Sequence, residues 1–190
     1  MCMYMIDADL QKLGDKAMAL GASAAVPVRV DTIKTGLWTR MKCQFGCPSY
    51  GKCLCCPPYT PDASFMERFL REYTWSLLVQ YTVPFDPKTD GKNWDAMDKK
   101  ISNGLLHIVV GVERAAFLMD YYKAFALKAG RCRLCDECNL QHCVHPDLAR
   151  PAAEACGIDV FALAHEHGFP SHVLQGPVKD VKVYGLVLVE

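Results

Sequence analysis

The chain has 190 residues, of which 51% are hydrophobic and 22% are charged, and its formal net charge at pH 7 is zero. This composition is typical of a globular protein with a real apolar core, and it excludes wholesale disorder. The 21 basic and 21 acidic residues leave no basic excess, which argues against nucleic acid as a partner.

The N-terminal residues 1–14 include acidic side chains and no long apolar run, so they resemble neither a signal peptide nor a membrane anchor. No stretch approaches the length of uninterrupted apolar sequence that a membrane span requires. We therefore expect a cytoplasmic protein without a membrane partner. Cytoplasmic thiols stay reduced, and the cysteine count is odd, at 11, so the cysteines indicate metal binding or catalysis before disulfides.

The first half of the chain predicts two helices and two strands. A helical repeat of apolar residues covers 6–21, and a strand follows over 23–30, where Pro27 favours an edge position. A second helix is predicted over 62–73, with Asp62 as its N-cap, and the apolar run 74–83 is the clearest strand. The polar loop 84–93 then divides the chain near its midpoint.

The second half begins with a long helical pattern over 94–122, for which Gly104 predicts a break. Residues 123–130 fit a helix or a strand equally well. Short helices are predicted within 150–168, and a final strand over 181–190.

Both halves therefore run helix, strand, cysteine loop, helix, strand. We expect an α+β (α/β-like) fold, with a small four-stranded sheet and flanking helices, in a single domain over 1–190. Two pseudo-repeated halves, 1–84 and 92–190, would each carry one cysteine loop.

The second cysteine segment, residues 130–146, has the sequence GRCRLCDECNLQHCVHP. Its spacing is Cys132-x2-Cys135-x2-Cys138-x4-Cys143, close to the C-x2-C-x2-C-x3-C-P run that holds [4Fe–4S] clusters. The final gap is one residue longer, which leaves open whether Cys143 binds the local cluster or a neighbouring one. Zinc is the alternative, with His142 or His145 replacing one thiolate, although zinc sites usually place two C-x2-C pairs further apart.

The first cysteine segment, residues 43–58, has the sequence CQFGCPSYGKCLCCPP. Its five thiols are Cys43, Cys47, Cys53, Cys55 and Cys56, which exceeds the needs of one four-ligand centre. The adjacent Cys55 and Cys56 are hard to place on a single cluster, so at least one thiol is expected to be spare.

Three stretches, CQFGCPSYGKCLCCPPYTP, YYKAFALKAGRCRLCDECN and CVHPDLARPAAEACGIDVFALAHEHGFP, together resemble a family of predicted metal-binding proteins with the domain of unknown function 2284. The resemblance, to a family of anaerobic bacteria and archaea, covers about Gly21 to Glu190. It implies a cysteine-ligated metal protein with iron–sulfur chemistry, and supplies no reaction.

The family's upstream motif, C-x3-C-x2-Y-G followed by C-P-P, matches Cys43, Cys47 and Cys56. Cys53 and Cys55 then look like extras in this chain, and the upstream site lacks a fourth ligand. Cys156 lies in the family-like block and is the first candidate, with Cys55 as the local alternative. The competing interpretation of Cys156 is an ordinary buried thiol.

The leading hypothesis is an iron–sulfur protein with two cysteine-ligated [4Fe–4S] clusters that acts in electron transfer or as a redox accessory with a partner protein. One alternative is an enzyme that binds substrate at an open iron site of one cluster. The other is a zinc-binding structural module. The sequence indicates no oligomeric state.

Overall fold

The computed structural model describes residues 3–169 and 178–190. Within these residues the chain forms five α-helices and four β-strands. They are α1 (Met3–Ala19), β1 (Ala24–Arg29), α2 (Leu37–Gly46), α3 (Ala63–Leu70), β2 (Trp75–Pro84), α4 (Trp94–Leu118), β3 (Phe125–Leu127), α5 (Val160–Glu166) and β4 (Asp180–Leu188).

The strands form one open sheet in the order β1-β2-β4-β3, and every neighbouring pair is antiparallel. The two long strands, β2 and β4, pair at the centre, where Leu78 lies opposite Leu186. Pro27 lies in the edge strand β1, where a missing backbone donor is tolerated. The predicted α+β fold with a four-stranded sheet is confirmed.

Helices cover both faces of this sheet. On one face α1 and α4 pack against alternate strand residues, and on the other face α3 and α5 pack against the residues between them. The first core contains Leu10, Leu13, Leu77, Val79, Leu105, Val109 and Val187; the second contains Met66, Leu70, Leu78, Leu163, Leu186 and Leu188. Because both faces are buried, β2 and β4 contain apolar runs, 77–79 and 186–188, instead of the alternation of a half-exposed antiparallel sheet.

The order of elements is similar in the two halves of the chain, except that the second half has no α-helix in the position of α2. Exchanging β1 with β3 and β2 with β4 reproduces the observed strand order. The strands predicted over 74–83 and 181–190 are the two central strands, and the half-repeats 1–84 and 92–190 stay a prediction. The single-domain assignment stays a prediction.

The predicted break of the long helix at Gly104 is wrong, because α4 runs without interruption from Trp94 to Leu118. Gly104 serves close packing: a Cβ there would lie 2.6 Å from the Tyr81 ring of β2. The undecided segment 123–130 contains the short strand β3.

The helix α2 was not predicted from the sequence. Thr39 is its one buried residue, whereas Leu37, Met41 and Phe45 are exposed. With no buried apolar stripe, the helix lacks the periodic pattern by which amphipathic helices are recognised.

One segment of the described chain, Asp90–Leu118, is long and apolar enough to meet the criteria for a membrane-crossing helix. Its apolar residues Leu105, Ile108 and Val109 are buried against the sheet. This burial identifies its apolar side as part of the core.

The central strand pair gives the first prediction. Leu186 is 0% exposed, so Leu186→Ala should lower the free energy of unfolding by about 2–5 kcal/mol, because the cavity is enclosed on all sides. Leu118 is 73% exposed and supplies the control. Leu118→Ala should change the free energy of unfolding by less than about 0.5 kcal/mol. Urea denaturation measures both, and equal losses would contradict the assigned core.

Candidate metal centre

The first cysteine segment begins in the last turn of α2. Cys43 belongs to that turn, and the Cys47 N–H donates to the Cys43 carbonyl (3.3 Å) as the helix ends. The chain then folds back through Gly51, whose φ of 70° favours glycine and whose N–H donates to the Pro57 carbonyl (2.9 Å). A further turn, from the Cys56 N–H to the Cys53 carbonyl (3.0 Å), sets the thiols in the interior.

The second cysteine segment forms a loop whose two ends are held together. Lys128 follows β3, and its N–H donates to the Pro151 carbonyl (3.0 Å) while its carbonyl accepts from the Ala153 N–H (2.8 Å). Inside the loop, the Asn139 side chain accepts from the Gln141 N–H (3.0 Å), forming a turn between Cys138 and Cys143. Residues 130–146 contain no helix or strand, so their position depends on contacts with the rest of the chain.

Polar side chains of α4 supply those contacts. Ser102 Oγ donates to the Arg131 carbonyl (2.9 Å), and the Arg133 guanidinium binds the Asp95 carboxylate (2.5 Å). Further along the helix, Glu113 holds Arg150 through two hydrogen bonds of 2.5 and 2.7 Å. The helix therefore fastens the cysteine loop as well as packing on the sheet.

The two segments meet and form a downstream pocket of about 30 Å³, lined by six cysteines. They are Cys53 and Cys55 from the first segment and Cys132, Cys135, Cys138 and Cys143 from the second. His145 also lines this pocket. All ten cysteines in the described residues are free thiols.

Hydrogen bonds among these thiols decide which of them ionise most readily. Cys53 accepts hydrogen bonds from the thiols of Cys55 and Cys56. Both bonds lower the pKa of Cys53, and the bond from Cys55 has the larger effect. Cys55 also donates to Cys132, and this bond lowers the pKa of Cys132 to about 6. Because the thiolate is the form that binds metals, the lowered pKa of Cys132 favours this thiol as a ligand.

An upstream pocket, an open groove of about 680 Å³, lies on the other side of the first segment. Three cysteines line it: Cys43, Cys47 and Cys56. Three carboxylates, those of Asp95, Asp98 and Glu154, line the same groove.

The adjacent residues Cys55 and Cys56 belong to different pockets. Cys55 lines the downstream pocket and Cys56 the upstream one. Both are buried, with exposures of 8% and 7%. The two pockets therefore adjoin, with one peptide unit between their nearest cysteine residues.

A buried lysine lies beside both pockets. Lys128 is 0% exposed, and its Nζ donates to the carbonyls of Ala129 (2.8 Å), Gly130 (3.0 Å) and Arg131 (2.8 Å). These three carbonyls favour the ammonium form, because a neutral amine has only two N–H groups. Burial acts in the opposite direction and lowers the pKa of Lys128. Its positive charge acts on the thiols of both pockets, Cys132 and Cys55 on one side and Cys56 on the other.

The grouping of cysteines agrees with the protein family that the chain matches. A family model described as predicted metal-binding protein (DUF2284) matches residues 26–189. The chain belongs to this family. No curated protein and no solved structure matched it. Membership of the DUF2284 family supports metal binding and does not identify the metal.

The structure places the four cysteines predicted for the downstream site in one pocket, and the three predicted for the upstream site in the other. Cys55, the local alternative for the upstream site, lies instead with the downstream thiols. Cys156 is 0% exposed, within the apolar core around Ile158 and Leu163, where burial raises the pKa of its thiol to about 12. Its role as a ligand stays a prediction.

Sequence reasoning missed two charged residues of the site, Lys128 and Glu154. Lys128 is flanked by the apolar run 124–127, and a lone lysine in such a run is a signal of burial with a partner. Glu154 is partly exposed as a residue, yet its Oε2 is shielded from solvent and has no hydrogen-bond partner. An orphaned carboxylate oxygen beside thiols suits a metal site, because burying it without a partner is costly.

The donor chemistry of this DUF2284 protein therefore fits a soft, thiolate-bound metal centre. Within residues 3–169 and 178–190, no three His, Cys, Asp or Glu side chains surround a common point at the spacing of a single bound ion. The structure thus brings the donor side chains together but does not by itself identify the metal.

The contact between α4 and the second segment gives the second prediction. Glu113 and Arg150 are each 15% exposed, and Glu113 Oε2 also accepts from the Ala126 N–H (2.7 Å). Glu113→Ala should lower the free energy of unfolding by about 3 kcal/mol, because it leaves a shielded guanidinium unpaired. Urea denaturation measures the loss.

Glu67→Ala is the matched control, since it breaks the Glu67–Arg71 pair, whose side chains are 59% and 72% exposed. Its expected cost is below about 0.5 kcal/mol. A Glu113→Ala variant as stable as Glu67→Ala would show that the ion pair does not fasten the loop.

Proposed function

We propose that this protein holds two cysteine-ligated [4Fe–4S] clusters and acts in electron transfer, as a redox accessory to a partner protein. One observation carries the proposal: cysteines from two distant segments gather in two adjoining pockets. Cys55 lines one pocket and its neighbour Cys56 lines the other. A cluster bound by cysteine thiolates stores and releases single electrons, with a potential set by charge, hydrogen bonds and exposure.

In the downstream pocket, Cys132, Cys135, Cys138 and Cys143 are the proposed ligands. Cys53 and Cys55 lie in the same pocket, and they would act as hydrogen-bonding neighbours of the ligands. In the upstream pocket, Cys43, Cys47 and Cys56 are the proposed ligands.

The protein supplies shielding and charge. Burial of Cys53, Cys55 and Cys56 keeps water from the boundary between the pockets. Lys128 places a fixed positive charge beside both, which offsets the negative charge of several thiolates. The adjoining position of the pockets would let an electron pass between centres within one chain.

Metal analysis gives the third prediction. After anaerobic purification, we expect about eight iron and eight sulfide per chain and broad absorption at about 400 nm that dithionite bleaches. Cys135→Ser in the downstream pocket and Cys47→Ser in the upstream pocket should each remove about half of the iron. A colourless protein with stoichiometric zinc would overturn the proposal and favour the zinc module.

Lys128 gives the fourth prediction. Reduction adds a negative charge, which a buried cation stabilises, so Lys128→Met should lower the reduction potentials by an amount on the order of tens of millivolts. Lys52→Met is the control, because Lys52 lines the upstream pocket but is exposed, and water screens its charge. Redox titration followed by EPR measures both variants, and near-UV circular dichroism verifies their folding. Equal shifts would contradict the role of Lys128.

An enzyme with an open iron site is the second candidate. It is favoured by the upstream pocket, which is an open groove lined by three cysteines, one fewer than a four-ligand cluster needs. A small external ligand such as cyanide should then change the EPR signal of the upstream cluster in the wild type. An unchanged signal would favour the electron-transfer role.

A further inference from the structure

The upstream groove contains one carboxylate oxygen without a hydrogen-bond partner, Glu154 Oε2. Its other two carboxylates are engaged: Asp95 pairs with Arg133 (2.5 Å) and Asp98 lies 3.3 Å from the same guanidinium. Glu154 forms no ion pair within the described residues, and its Oε2 is buried without a hydrogen bond. Burial raises the pKa of Glu154, and the nearby charge of Lys128 acts against that rise. Lys128 is nearby, but its three N–H groups already donate to backbone carbonyls.

The backbone holds Glu154 next to the helix that carries Cys43. Glu154 begins a 3-10 turn, Glu154–Cys156, and α2 packs against this turn. Arg40 of α2 donates to the Ala155 carbonyl (2.8 Å). The Glu154 carboxylate is close enough to Cys43 for its charge to raise the pKa of that thiol, after the larger effects of burial and of Cys47.

The Cys156 side chain of the same 3-10 turn lies in the apolar core and not in the groove. Residues two apart on a 3-10 helix lie on different sides, because three residues complete one turn. Glu154 lines the groove, whereas Cys156 is fully buried in the apolar core and does not line it. Of the two side chains, the carboxylate is the one that shares the groove with the three thiols.

We propose that Glu154 is the fourth ligand of the upstream centre, completing the set formed by Cys43, Cys47 and Cys56. This inference rests on the proposed iron–sulfur function. It makes the two centres chemically different: one bound by thiolates alone, and one with a carboxylate on its fourth iron. A carboxylate is a harder donor than a thiolate and holds iron less strongly, so this iron is the one that an external ligand would reach first.

Three variants of the full chain, purified anaerobically, test the assignment by EPR and iron analysis. Glu154→Gln should lose about one iron per chain and give the EPR signal of a three-iron cluster in the oxidised protein, with the downstream signal unchanged. Glu154→Cys should retain that iron, because a thiolate replaces the carboxylate. Cys156→Ser is the matched control and should retain the wild-type iron content and spectrum.

Loss of iron in Cys156→Ser, with none in Glu154→Gln, would overturn the inference and return the fourth position to Cys156. Full iron in both variants would also overturn it and leave the fourth position open to external ligands. Failure of the proposed function itself looks different, because the wild-type protein would then contain no iron–sulfur cluster.

Discussion

The buried ammonium of Lys128 is the interaction on which the arrangement of both pockets depends. It extends from the end of the short strand β3 and binds three successive carbonyls, those of residues 129–131, which bend the chain into the second cysteine segment. The backbone of Lys128 also joins the far end of that loop, through Pro151 and Ala153. One residue therefore fixes the start and the end of the loop, and its charge compensates the thiols gathered around it.

The sheet explains why this arrangement is rigid. Its two central strands are buried on both faces, and α4 lies across one face with Val109 against Gly185. A Cβ at Gly185 would lie 2.6 Å from Val109 Cγ1, so glycine permits the close approach of helix and sheet. The polar residues of the same helix then hold Arg131, Arg133 and Arg150 of the cysteine loop. Because α4 is packed firmly in the core, its polar side chains hold in place a loop that has no regular secondary structure.

The two pockets meet at the adjacent residues Cys55 and Cys56. The proposed clusters would influence each other electrostatically, because Cys55 and Cys56 line adjoining pockets. The two sites differ in their surroundings, since the downstream pocket is small and rich in thiols while the upstream groove is open and contains carboxylates. This asymmetry is consistent with one centre that stores an electron and one that meets a partner or a small ligand.

Much of this protein was determined by local sequence. The apolar runs of β2 and β4 and the N-cap Asp62 each follow a short-range rule, and each predicted its element. The x2-x2 spacing of Cys132, Cys135 and Cys138 likewise predicted metal binding, which the family match supports. The helix α2 escaped prediction because its apolar side chains face outward. Only the tertiary structure decided that Cys53 and Cys55 join the second segment, that Cys156 enters the core and that Lys128 and Glu154 belong to the site. Those outcomes depend on contacts between residues far apart in the chain, which the folded sheet and α4 bring together and which no local spacing encodes.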